Sequence, residues 1–100
     1  MMISVTRNAT RRYLPDGSFV EIAIHEIPKD EERPHGFHYR LAWVQVLESG
    51  VNRLRVLFDN HKGKTDHVHL DGEESPYEFR GIDSLLEDFA EAIKKLGGPI

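Results

Sequence analysis

The chain has 100 residues, 39% of them hydrophobic and 30% charged, which is typical of one small globular domain spanning residues 1–100. It contains no cysteine, so a disulfide framework and a thiolate zinc site are both excluded. The net charge is −4, but the acidic excess lies in the C-terminal third, and the region 53–69 is locally basic. Neither a secretory signal nor an apolar run near the ~20 residues of a membrane span is found, so we expect a cytoplasmic protein without a membrane segment.

Two strands joined by a tight turn are predicted at the start of the chain. The sequence "LPDG" at 14–17 favours a turn, because its proline fixes one φ angle, its aspartate can hydrogen-bond nearby backbone and its glycine tolerates a positive φ. The first strand ends near Tyr13. The second covers 18–27, where every second residue from Val20 to Ile24 is apolar, as in a half-buried antiparallel strand.

The middle of the chain predicts two further strands. Segment 28–36 holds two prolines and five charged residues, which indicates a loop. Segment 37–48 is rich in β-branched and aromatic residues and has bulky apolar groups on both faces, which favours a central strand. After a turn at 49–52, segment 53–58 alternates apolar and cationic residues and predicts the next strand.

One amphipathic helix is predicted near the C-terminus, at about 84–96. Asp83 or Ser84 is the expected N-cap, and Ser84 with Glu87 would form a capping box. Gly97 is expected to end the helix. The apolar stripe at helical spacing consists of Leu85, Leu86, Phe89, Ile93 and Leu96.

These elements together predict an α+β fold. Five or six short strands within 3–80 follow one another through turns, which favours an antiparallel meander. The single C-terminal helix would then cover one face of the sheet.

His67 and His69 share one face of the strand predicted at 65–70, because side chains alternate along a strand. The apolar residues of this strand belong in the core, and this fixes the parity of its pairing with the preceding strand, since a one-residue slip would reverse every side chain. The simplest connection is a three-residue loop at 61–63 with its glycine in the left-handed conformation. It predicts the pairs Val56–Val68, Leu54–Leu70, Arg55–His69 and Leu57–His67.

The polar face of this hairpin suits phosphate chemistry. Metal-independent RNA cleavage needs a base for the 2′-hydroxyl, an acid for the leaving oxygen and cations for the developing charge. His67 and His69 are the candidate acid–base pair, because histidine exchanges a proton near neutral pH. The candidate phosphate ligands are Arg53, Arg55 and Lys64. A solvated strand face without any chemistry shows the same pattern, and the residues alone leave that alternative open.

A metal site would use the same two histidines, since histidines at i and i+2 can ligate one ion. Asp66 is predicted on the opposite face of the strand, however, and only Asp71 shares the histidine face. No separate third ligand is evident. We therefore predict no bound metal and no other cofactor.

Four stretches carry a family resemblance: "LPDG", "HGFHYRLAW", "DNHKGKTDHVH" and "EESPYEF" followed by "LLEDF". Together, from about Leu14 to Phe89, they resemble the TumE-like proteins, toxins of small prokaryotic toxin–antitoxin modules. The resemblance implies a growth-inhibiting protein with a cognate antitoxin that is a helix-turn-helix regulator. The motif positions to which it assigns a site are Asp59, Lys64, Asp66, His67 and His69, with Tyr39 and Arg40 as further candidates.

Three hypotheses of function follow from these observations. The first is a ribonuclease toxin whose partners are RNA and the cognate antitoxin. The second is a module that inhibits a target, or serves its antitoxin partner, by binding alone. The third is a metal-dependent hydrolase. The oligomeric state is open, and a dimer is compatible with the sequence.

Overall fold

The computed structural model describes residues 10–31, 33–61, 63 and 65–100, which form one antiparallel sheet followed by a helix. The elements are β1 (Thr10–Tyr13), β2 (Phe19–Glu26), β3 (Phe37–Val46), β4 (Asn52–Asp59), β5 (His67–Leu70), β6 (Glu73–Pro76) and α1 (Ile82–Lys95). The strands are hydrogen-bonded in chain order. The predicted α+β meander is confirmed, with six strands in the described part of the chain. No helix among these residues is long and apolar enough to cross a membrane.

The turn between β1 and β2 forms as predicted. The N–H of Gly17 donates to the Leu14 carbonyl, and Gly17 has a positive φ of 87°. Asp16 Oδ1 accepts hydrogen bonds from both the N–H and the hydroxyl of Ser18. These bonds lower the pKa of Asp16, because they favour its charged form.

Helix α1 packs against one face of the sheet, and the main core lies between them. Its buried residues are Val20, Tyr39, Leu41, Trp43, Val56, Phe58, Val68, Leu85, Phe89, Ala92 and Ile93. Trp43 donates its indole N–H to the Ser18 hydroxyl, which satisfies its polar atom inside the core. A smaller apolar cluster around Phe19 and Ala42 lies on the other side of the sheet, which we call the open face.

The helix begins earlier than predicted and has a different N-cap. Gly81 is the N-cap, with a φ of 118°, and no side chain caps the helix. Asp83 and Ser84 lie inside its first turn, so the predicted capping box is wrong. Gly97, with a φ of 89°, follows the C-cap as predicted. Leu86, expected in the apolar stripe, is 37% exposed at the margin of the packed face.

A β-bulge in the β3–β4 hairpin reverses the face predicted for the start of β4. Trp43 pairs with Val56 and Val44 pairs with Leu54, so Arg55 is the extra residue. Leu54 was expected in the core, but it lies opposite Val44 on the open face and is 42% exposed. The alternation of apolar and cationic residues in this strand gives no indication of the bulge.

The β4–β5 hairpin keeps its predicted faces beyond the bulge, but its predicted pairing is wrong by two residues. Leu57 lies opposite His69, the position predicted for Arg55. The connection is the longer stretch 60–66 instead of a three-residue loop. A two-residue shift leaves each side chain on its own face, so the hydrophobic pattern could not distinguish the two registers.

The buried side chain of Asn60 explains the longer connection. Its Oδ1 accepts a hydrogen bond from the Tyr39 N–H, and its Nδ2 donates to the Phe37 carbonyl. This side chain continues the β3–β4 ladder in place of backbone groups, so the chain turns away only after it. At the other end of the connection, the Tyr77 N–H donates to the Asp66 carbonyl.

The acidic run at 71–74 forms an exposed turn and the start of the last strand. Asp71 and Gly72 form the turn, with positive φ angles of 50° and 87°. Glu73 and Glu74 then begin β6, the edge strand that pairs with β5. Glu74 is thereby placed opposite His69.

Candidate functional site

Histidines are concentrated on the open face of the sheet. Strand alternation places those of β2, β3 and β5 there, and the ring of His61 joins them from the connection after β4 by contacting the ring of His67. Five of the six histidines in the chain belong to this group: His25, His38, His61, His67 and His69. The group lies outside the main core, so this face offers several imidazole rings for chemistry.

His67 lies between His61 and His69, and its hydrogen-bonding pattern is fixed. It is only 4% exposed, and its Nδ1 lies 2.9 Å from the Thr65 carbonyl oxygen. Because a carbonyl only accepts hydrogen bonds, Nδ1 carries the hydrogen and the neutral ring has its free lone pair at Nε2. The ring centroid of His67 is 5.0 Å from that of His69 and 5.7 Å from that of His61. His67 can therefore accept a proton or bind an ion through Nε2.

Two carboxylates flank the three clustered histidines. Asp59 lies opposite His67 in the β4–β5 ladder, and its Oδ2 is 3.1 Å from Nδ1 of His61. On the other side, Oε1 of Glu74 is 3.8 Å from Nε2 of His69. Each outer histidine thus has its own carboxylate, and His67 lies between the two pairs.

A cleft of about 650 Å³ leads to His67. The connection after β4 lines one side of it, and β6 lines the other. Its lining residues are Gly63, Thr65, Asp66, His67, Glu74, Ser75 and Pro76. A group bound in this cleft would contact His67 and the carboxylate of Glu74 together.

Arg40 is an arginine that the fold brings beside the histidines. It lies opposite Asp59 in the β3–β4 ladder, its side chain is 46% exposed, and its Nη1 is 3.7 Å from Oε1 of Glu21. Arg53, a candidate from the sequence, is six residues or ~20 Å along β4 from Asp59. Lys64, the other cationic candidate, lies outside the described residues.

Arg55 is directed away from the histidines, and its predicted pairing with His69 is wrong. At the bulge its guanidinium forms an ion pair with Asp71, donates to Gln45 Oε1 at 3.0 Å, and lies 5.2 Å from the ring centroid of Trp43 in the core. The hydrogen bond between Arg55 and Asp71 raises the pKa of the arginine and lowers that of the carboxyl group. Its contacts therefore link β4 to the turn after β5.

Asp66 and Tyr39, both family-motif candidates, meet on the core side of the sheet. The Tyr39 hydroxyl donates to Asp66 Oδ2 at 2.7 Å, and Nε2 of His35 lies 2.9 Å from the same oxygen. Burial and this hydrogen bond raise the pKa of the Tyr39 phenol, so it stays a donor. Phe79 packs on the His35 ring with centroids 4.1 Å apart. This network fixes the backbone just before His67 instead of facing the histidine group.

Neither His61 nor Glu74 is among the site candidates that the sequence gives, and the structure adds both. His61 lies in a connection without periodicity, and Glu74 belongs to an acidic run. Among the described residues, two sets of three metal-ligand atoms lie within 4.8 Å of one another: Asp59, His61 and His67, and His67, His69 and Glu74. Each set therefore has a third metal ligand on the open face, and this ligand becomes visible only in the folded sheet.

The resemblance seen in the motifs extends over nearly the whole chain. Residues 3–96 match the family model described as Toxin TumE. No curated protein and no solved structure matches the chain. A toxin family of this kind implies an antitoxin partner in general. The chain belongs to the TumE toxin family.

Proposed function

We propose that the chain is the toxin of a toxin–antitoxin module and that it cleaves RNA on its open face by acid–base catalysis without a metal ion. Family membership supports the toxin assignment and an antitoxin partner. The proposed chemistry depends on one observation. His67 and His69 share the open face at a centroid distance of 5.0 Å, and Nε2 of His67 has a free lone pair.

His67 is the proposed base and His69 the proposed acid. In-line displacement puts the attacking and leaving oxygens on opposite sides of phosphorus, so the two catalytic groups have to stand apart on one surface. Nε2 of His67 takes the proton of the 2′-hydroxyl, and the 2′-oxygen bonds to phosphorus. The bond from phosphorus to the 5′-oxygen breaks as His69 donates its proton to that oxygen. The products are a 2′,3′-cyclic phosphate and a 5′-hydroxyl.

Arg40 is the proposed phosphate ligand, in place of Arg55. Its side chain is half exposed, and its 3.7 Å contact with Glu21 is long enough to be exchanged for a phosphate oxygen. Arg55, in contrast, is held by Asp71. Lys64, three residues before His67, is a second cation candidate on sequence grounds.

Expression with and without the adjacent antitoxin gene, which we propose to encode a helix-turn-helix protein, tests this function in the bacterial cytoplasm. Expression alone should stop growth and degrade RNA, and co-expression should prevent both. His67→Gln and His69→Gln should each abolish RNA loss while circular dichroism shows an unchanged fold. His25→Gln, on the same face but outside the proposed pair, is the matched control and should remain active.

Inhibition by binding alone is the alternative that the same variants separate. Loss of one member of a cooperating catalytic pair removes nearly all turnover, and the double variant is then hardly worse than either single one. A binding surface would instead lose affinity in modest, roughly additive steps. Growth arrest with intact RNA, unchanged in His67→Gln, would overturn the proposed cleavage.

A further inference from the structure

We propose that the open face also holds a site for one divalent transition-metal ion of the zinc class, formed by Asp59, His61 and His67. One ligand atom of each residue lies within 4.8 Å of the other two. Asp59 and His67 are buried, at 8% and 4% exposure, and face each other from neighbouring strands. The sheet therefore fixes two of the three ligands, and the exposed His61 reaches them from the connection after β4.

The surroundings of the two buried ligands favour metal binding. A metal-bound histidine usually donates its second ring N–H to a carbonyl or carboxylate, which orients the ring and directs its other nitrogen at the ion. His67 makes this contact through Nδ1 to the Thr65 carbonyl, which leaves Nε2 for the ion. Oδ1 of Asp59 accepts a hydrogen bond from the His61 backbone N–H, which leaves Oδ2 as the ligand oxygen.

The spacing of the Asp59 and His61 ligand atoms fits a small tetrahedral ion. Oδ2 of Asp59 and Nδ1 of His61 are 3.1 Å apart, and ligands ~2.0 Å from zinc in a tetrahedron are ~3.3 Å apart. The ion can therefore take the place of the proton between these atoms with little movement. Two imidazoles and one carboxylate suit Zn²⁺ or Co²⁺ better than Mg²⁺ or Ca²⁺, which prefer oxygen ligands.

His67 can serve only one ion, since Nδ1 is engaged with a backbone carbonyl. The competing set of His67, His69 and Glu74 contains the same histidine, so it would need the same nitrogen. In that set Oε1 of Glu74 and Nε2 of His69 are 3.8 Å apart, and the Glu74 side chain is 42% exposed on an edge strand. Asp59 and His61 are closer to the required spacing, and Asp59 is more rigidly held, so we assign the ion to them.

The metal site itself stands on geometry alone, but its effect on activity rests on the proposed function. The ion would use the same His67 lone pair that accepts the 2′-hydroxyl proton. An occupied site cannot provide that base, so we expect zinc to inhibit RNA cleavage.

Titration of the full chain with Co²⁺, followed by visible absorption, tests the site directly. One Co²⁺ should bind per chain, and equimolar Zn²⁺ should displace it. Loss of an outer-shell partner weakens metal affinity ~10–100-fold, so His61→Gln, which removes a direct ligand, should weaken it at least as much. His25→Gln and Glu74→Gln are the matched controls and should bind Co²⁺ like the natural chain.

Each result bears on a different claim. Failure to bind Co²⁺ at millimolar concentration, or equal losses in Glu74→Gln and His61→Gln, would overturn the assigned site. In an RNA cleavage assay, Zn²⁺ should inhibit and a chelator should restore activity, and full activity in saturating Zn²⁺ would overturn the inhibition. A chain that binds Co²⁺ but cleaves no RNA would keep the metal site and overturn the proposed function.

Discussion

The substitution Tyr39→Phe should destabilise the fold through one hydrogen bond. The Tyr39 side chain is fully buried, and its hydroxyl donates to Asp66 Oδ2 at 2.7 Å, an oxygen that His35 Nε2 also contacts at 2.9 Å. The change removes the donor and leaves the ring in place. A hydrogen bond to a charged group contributes ~1.5–3 kcal/mol, so we expect the free energy of unfolding to fall by ~2 kcal/mol. For a domain of this size that corresponds to a decrease in Tm of ~8–16 °C.

Urea unfolding followed by fluorescence of the single tryptophan measures this loss. The midpoint should fall while the slope m stays the same. Tyr77→Phe is a matched control, because the Tyr77 hydroxyl also donates to a carboxylate, but Asp88 is partly exposed and keeps Arg80 at 2.6 Å. Its loss should stay below ~1 kcal/mol. Equal losses in both variants would contradict the special role assigned to the bond between Tyr39 and Asp66.

Three further expectations concern other parts of the molecule. Burial lowers the pKa of His38 from 6.5, and the charge of Arg33 adds to this effect. Folding therefore favours the neutral ring. The contribution of His38 to stability is complete above pH 6.5 and is lost as the pH falls through the lowered pKa. His38→Gln should therefore flatten the decrease of the urea midpoint between about pH 7.5 and 5.5, and an unchanged pH dependence would contradict this. Asn60→Ala leaves the buried N–H of Tyr39 and the partly buried carbonyl of Phe37 without their partner and should lower the free energy of unfolding by ~2–4 kcal/mol. A loss below ~1 kcal/mol in the same assay would show that the connection after β4 does not depend on Asn60. Arg40→Gln should reduce kcat/KM for RNA ~10–100-fold while Arg55→Gln leaves it unchanged in the folded protein, and the opposite order would contradict the placement of the phosphate ligand.

Alternation and turn chemistry were enough to predict most of the sheet. Val20, Ile22 and Ile24 point into the core as their spacing predicts, and Gly17 takes the positive φ that its turn requires. These features depend on which individual residues are buried, so the pattern of apolar residues in a single sequence predicts them.

Two features of the sheet depend on contacts between distant residues and left no local pattern. The register of β5 is one, because a shift of two residues preserves every face and the choice is made by the buried side chain of Asn60. The bulge at Arg55 is the other. It carries that guanidinium away from His69, although the sequence alternates without interruption.

The candidate site could be predicted only in part, because some of its residues are brought together by contacts between distant parts of the chain. The shared face of His67 and His69 follows from strand alternation, and the structure confirms it. Arg40, His61 and Glu74 join this face through the pairing of β3 with β4, the path of the 60–66 connection and the pairing of β5 with β6. None of these is encoded by spacing along one strand.

Cleavage of a defined RNA by the purified chain in the presence of a chelator tests the central claim most directly. The substrate is compared with the same sequence carrying 2′-O-methyl groups, which lack the attacking hydroxyl. We predict cleavage of the unmodified RNA alone, with 2′,3′-cyclic phosphate ends and with no product from folded His67→Gln. Unmodified RNA that stays intact with a folded, growth-inhibiting protein, or equal cleavage of the 2′-O-methyl RNA, would contradict the proposed mechanism.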